Sequence, residues 1–159
     1  MTIIIFFSLI LIYILYSISL EDIKTMLISE NKLIIFAISG IIYLICLGLF
    51  NEKTNSIDLI IDNSFSMLII FITMYSISGV SYKLFKTNSL GIGDIKLSYI
   101  STIWLGIELC FISLCISFLL SAIYSLYGRI FRKLKPFQQY PFAPFISIGI
   151  FCCWIIDKI

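Results

Sequence analysis

The chain contains no histidine and no CxxC motif, and only 13% of its 159 residues are charged. Without histidine, and with no serine–lysine pair placed at one depth, nucleophilic catalysis lacks its usual base. The five cysteines, Cys46, Cys110, Cys115, Cys152 and Cys153, all sit inside apolar runs. That placement reads as buried packing rather than a zinc site or a disulfide framework, so no metal and no cofactor are expected. The first apolar run has no basic residues ahead of it and no small-residue cleavage site behind it, so it reads as a retained helix and not a removable signal peptide. Internal repeats and low-complexity tracts are also missing, which excludes a solenoid or a disordered tail.

What is present is hydrocarbon. Sixty per cent of the residues are hydrophobic and the mean hydropathy is +1.10, against roughly 45–50% apolar content in ordinary soluble domains. Apolar runs of about 18 residues or more recur along the chain, each able to cross a core of ~30 Å. The pattern predicts an all-α, polytopic transmembrane bundle of about six helices, at 3–20, 32–50, 64–82, 94–107, 108–127 and 142–157. It forms one domain over 1–159, with no room for a soluble domain between spans. The fourth helix covers only ~21 Å at 1.5 Å per residue.

Charge placement predicts orientation. Lys24 and Lys32, then Lys83, Lys86 and Lys96, then Arg129, Arg132, Lys133 and Lys135 follow the first, third and fifth helices, while the other side has only Lys53 and Lys158. By the positive-inside rule the odd-numbered loops face the cytoplasm and both termini lie outside. Asp22 and Asp94 then fall at one depth, at the cytoplasmic face of the cell membrane. The outer stretch 51–63, with Glu52, Lys53, Asp58 and Asp62, reads as a surface-lying segment. The basic run 129–139 reads as an anchor to anionic head groups, and Pro141 and Pro144 mark the start of the last helix.

An ionisable group near a membrane span is costly and by default functional. Asp94 lies in Gly91-Ile92-Gly93-Asp94-Ile95-Lys96-Leu97, where two glycines remove side chains and let a peptide strand approach the carboxylate. Taken alone, the same stretch is an ordinary capped turn. Asp22, with Glu21 beside it, is by itself an ordinary interface residue. Together they offer a pair. Two carboxylates within ~5 Å repel by ~3 kcal/mol at an effective dielectric near 20, about two pKa units, so one keeps a proton while the other is ionised. That is the acid–base arrangement of an aspartic protease, which activates water and needs no covalent intermediate. Two further readings stay open: a small proton- or ion-coupled transporter in which both acids bind a cation, and a non-enzymatic assembly subunit of a pilus or secretion system.

Three stretches carry a family resemblance. Asp22-Ile23-Lys24-Thr25-Met26-Leu27-Ile28, Gly91-Ile92-Gly93-Asp94-Ile95-Lys96-Leu97 and Pro141-Phe142-Ala143-Pro144-Phe145 resemble, in order, the motifs of the type IV prepilin peptidase family, the prepilin leader peptidases, which are GxGD-type intramembrane aspartyl proteases. Ser29 and Glu30 stand where that family often has Pro-Asn, Lys24 where it has Arg, and Ala143 where it has Gly. The paired CxxC motifs of its longer members, associated with N-methylation, are missing, so the resemblance is to the short, peptidase-only forms. Presenilin-like proteases also use a GxGD, but place their first acid in a Tyr-Asp pair, whereas Glu21 precedes Asp22 here. The resemblance implies Asp22 and Asp94 as the catalytic pair, with Gly91, Gly93, Pro141 and Pro144 shaping the site and Lys96 as a supporting charge. It also implies a prepilin or pilin-like substrate with a short basic leader, which an acidic site attracts. Membrane lipid is the other expected partner, and nucleic acid is not.

Overall fold

The computed structural model describes residues 2–50, 56–86, 90–131 and 139–158. Six helices follow one another: α1 (Thr2–Thr25), α2 (Glu30–Phe50), α3 (Ser56–Phe85), α4 (Ile92–Ile100), α5 (Thr102–Ile130) and α6 (Ala143–Lys158). There is no strand among the described residues, and the all-α expectation holds. A chain in hydrocarbon must satisfy its backbone internally, which favours helices whatever the β-propensity of its isoleucines. Hydroxyls inside the helices obey the same demand. Ser8 donates to the Ile4 carbonyl at 2.7 Å, Ser19 to Leu15 at 2.8 Å and Ser117 to Ser113 at 2.6 Å.

Four helices contain stretches long and apolar enough to cross a membrane: Ile4–Thr25, Glu30–Leu49, Leu59–Leu84 and Thr102–Ile130. The protein is therefore a multi-pass membrane protein. The six helices read from the sequence are four long ones and two short ones, the fourth short as its ~21 Å reading implied. α4, with nine residues, and α6, with sixteen, reach only ~14 and ~24 Å.

Three boundaries differ from expectation. α1 runs on to Thr25, so Asp22 lies within it rather than just after it; the helix stops where Met26 turns left-handed at φ 54°. α3 begins at Ser56, so residues 56–63 are the first turns of a long helix and not a separate surface-lying segment. No proline or glycine stands between residue 49 and Gly79 to stop it, and Asn63, Ser64 and Ser66 bond back to the carbonyls of Leu59, Ile60 and Asp62. Glu52 and Lys53 of that expectation, and the Asp58 side chain, lie outside the described residues, as do Arg132, Lys133 and Lys135 of the basic run. Finally, α4 breaks off at Ser101, while Gly106 (φ 72°, ψ 178°) interrupts α5. Residues 92–105 thus form a short arm and 107–130 a long limb, a division within two residues of the predicted 107/108 boundary.

The core centres on Trp104. Its ring stacks between Phe36 and Tyr43, with centroids 5.8 and 5.5 Å away, and meets Trp154 edge-on at 5.5 Å. Its Nε1–H donates to the Phe36 carbonyl at 3.1 Å. Gly40 makes room for it, since a Cβ there would lie 2.8 Å from Nε1. α6 seats against α5 in a similar way: a Cβ on Gly149 would lie 2.3 Å from the Ser113 carbonyl oxygen. Small residues allow this close backbone approach in membranes, and here they set where the start of α6 comes to rest.

Gly149→Ala is expected to destabilise the fold by about 1–3 kcal/mol through overpacking, read as a lower thermal midpoint in detergent. Gly79→Ala, where a Cβ meets nothing within 4 Å, is expected to leave the midpoint unchanged or slightly raised.

Candidate active site

The first four N–H groups of a helix have no partner within it. In α6 two prolines reduce that need, because neither Pro141 nor Pro144 carries an N–H, while Phe145 and Ile146 donate to the Phe142 carbonyl. The amides of Phe142 and Ala143 remain, and Asp22 answers them. Its Oδ2 accepts from the Ala143 N–H at 2.9 Å, and the Phe142 N–H is also turned toward it. Asp22 is only 5% exposed, and the positive end of the α6 dipole favours a negative charge there. Pro141 and Pro144 thus flank the two amides that face Asp22.

Glu21 does something else. Its Oε2 accepts from the Ser29 N–H at 3.3 Å and the Ser29 hydroxyl at 3.0 Å, and pairs with Lys32 Nζ at 3.3 Å. The structure therefore separates the two neighbouring acids: Glu21 ties down the 26–29 turn, and Asp22 turns inward.

Asp94 is the third residue of α4, with Gly91 as the N-cap. From that position a carboxylate reaches back toward the N-cap N–H, and the Gly91 amide does face it. A Cβ on Gly91 would stand 3.1 Å from Asp94 Oδ2, so the missing side chain keeps that approach open. The other oxygen, Oδ1, is buried without a hydrogen-bond partner. An ordinary cap does not need such an orphan. Burial first, and then the negative charge of Asp22, push the Asp94 carboxyl up to about 7 against the opposing pull of the Gly91 amide.

Gly93 and Lys96 each meet a neighbour from the α1–α2 region. A Cβ on Gly93 would lie 3.1 Å from Ile28 Cβ, so this glycine lets α4 pack on the α1–α2 turn. Lys96 pairs at the surface with Glu30. Sequence reasoning missed the Ala143 and Phe142 amides and the contact with Ile28. The flanking prolines were the one available signal for the amides; nothing in the sequence signals Ile28.

The two acids lie at the same end of the bundle. α1 and α4 have no close backbone approach of their own, but both pack against α6. No hydrogen bond joins the carboxylates, yet the charge on Asp22 raises Asp94. Such an arrangement can hold one proton between two acids across a gap.

A multi-pass helical bundle with two coupled acids at one end belongs to the class of membrane proteins able to run acid–base chemistry at the bilayer surface. Residues 9–126 match the sequence model of the type IV leader peptidase family, and the chain belongs to that family of proteases. The match takes in Asp22 and the Gly91–Leu97 stretch, while α6 lies beyond it. No curated protein and no solved structure matches the chain.

Because the Asp94 pKa is about 7 in the fold against 3.8 as its ordinary value, the stability it contributes is full below about pH 4 and lost as pH rises toward 7. Asp94→Asn is therefore expected to gain thermal midpoint over the parent as pH goes from 5 to 8, measured in detergent at both values. Equal differences at the two pH values would mean that the acid is not perturbed.

Proposed function

We propose that this protein is an aspartic endopeptidase that removes the short basic leader of prepilin or pilin-like precursors at the cytoplasmic face of the cell membrane, with both chain termini outside. The observation that carries the reading is the coupled pair: Asp22, provided with backbone donors at the start of α6, and Asp94, raised to about 7 with one oxygen unpartnered. Family membership supports the protease, and the lysines crowded at the ends of α1 and α3 support the orientation.

In this mechanism ionised Asp22 takes a proton from a water held between the acids, and protonated Asp94 donates a hydrogen bond to the scissile carbonyl. The water adds to that carbon, the tetrahedral intermediate collapses, and the proton passes to the leaving amine. The substrate strand occupies the gap between α1 and α4. Lys96, held by Glu30 at the surface, does not touch the reacting atoms.

The test is cleavage of a prepilin-like peptide by purified protein in detergent or lipid. Asp22→Asn and Asp94→Asn are each expected to lower kcat/KM by at least about 100-fold, and Glu21→Gln to retain cleavage. Undiminished cleavage by either Asp→Asn variant would sink the assignment. The pH profile gives a second check: kcat/KM is expected to fall as pH rises through about 7, where Asp94 loses its proton, and an alkaline arm unmoved from that of free peptide hydrolysis contradicts the assigned roles.

A further inference from the structure

α1 carries a second stripe, turned away from Asp22. Tyr13, Tyr16, Leu20 and Lys24 recur at helical spacing on one face, and with Lys32 of α2 they line an open cavity of about 480 Å³. Among the described residues no other helix covers the two rings: Tyr13 is 74% exposed and Tyr16 62%. Both lie within the membrane-crossing stretch Ile4–Thr25, so something of hydrocarbon character must cover them.

The charges at the mouth narrow the choice. Lys32 is engaged by Glu21 and by the Ser17 carbonyl, 2.8 Å from its Nζ. Lys24 has no ion-pair partner among the described residues. The three groups leave one net positive charge, which suits a singly charged phosphodiester. Glu21, already holding Ser29 and Lys32, has little to offer the ammonium of a zwitterionic head group. The eleven helical steps from Tyr13 to Lys24 span ~16 Å, about half of a ~30 Å hydrocarbon core. Lysines therefore stand at head-group level while the tyrosines lie beside an acyl chain. A basic leader peptide would be repelled by the same lysines.

We infer that this groove binds one anionic phospholipid of the phosphatidylglycerol type, with its phosphate at Lys24 and Lys32 and an acyl chain along Leu20, Tyr16 and Tyr13. Cationic pockets at helix ends recognise lipid head groups in this way. The site is separate from the proposed peptidase pair, and its test does not depend on cleavage.

Full-length protein is reconstituted in phosphatidylcholine vesicles containing either phosphatidylglycerol or phosphatidylethanolamine, released into mild detergent, and its retained lipids are counted by native mass spectrometry. One phosphatidylglycerol is expected to stay bound, with retention roughly fivefold weaker in Lys24→Gln. Lys83→Gln, which removes a charge at the same end of the bundle but outside the groove, is expected to retain lipid like the parent. Equal retention of phosphatidylethanolamine, unchanged retention in Lys24→Gln, or an equal loss in Lys83→Gln would overturn the site. Displacement by glycerol phosphate alone would make it a phosphate site without acyl recognition, and displacement by a prepilin-like peptide would make it a protein-docking face; either result also overturns the proposal.

Discussion

One hydrogen bond organises the end of this bundle where the two acids lie: the 2.9 Å contact between the Ala143 N–H and the Asp22 carboxylate. It joins the last turns of α1 to the first turn of α6 across most of the length of the chain. Both partners need it. A helix start buried among other helices cannot leave its amides unpaired, and a carboxylate 5% exposed cannot stay charged without donors. A negative charge there also acts on Asp94, which is why the second acid cannot be understood apart from the first.

The short arm at 92–105 answers a different constraint. A continuous span would carry Asp94 on a rigid rod. Instead Ser98, Ser101 and Thr102 bond back to the carbonyls of Asp94, Ser98 and Tyr99. The break itself comes at Gly106, whose left-handed φ of 72° suits glycine. Gly93 against Ile28 and Lys96 against Glu30 hold the arm to the α1–α2 corner. Ser29 and Glu30 depart from the family pattern, yet each has a structural partner: Glu21 for the first and Lys96 for the second. The partnership of an exposed pair such as Glu30–Lys96 is weak in itself, worth ~0–1 kcal/mol. The packing of Ile28 on Gly93 holds the arm more firmly.

The helices were legible because hydrocarbon leaves the backbone few alternatives, so run length and composition suffice to find them. The limits of that reading show at particular residues. Residues 56–63 looked interfacial from Asp58 and Asp62, but polar side chains on a helix end do not stop it when no proline or glycine intervenes. Asp22 and Asp94 stood out because ionisable groups are rare in such a chain, and the motif around Asp94 drew attention to its glycines. Which glycine faced the carboxylate and which faced a neighbouring helix was not legible, since spacing along the chain carries no information about what packs across it.

Composition and charge order alone therefore determined that this is a multi-pass helical membrane protein with two acids at one end, because burial of apolar runs and the cost of buried charge are properties of single segments. Only the tertiary structure decided that Asp22 and not Glu21 turns inward, that the amides of α6 receive it, and that Lys96 is spent on Glu30. Those are contacts between helices distant in sequence, and the partner that satisfies a given donor or charge exists only once the helices have packed.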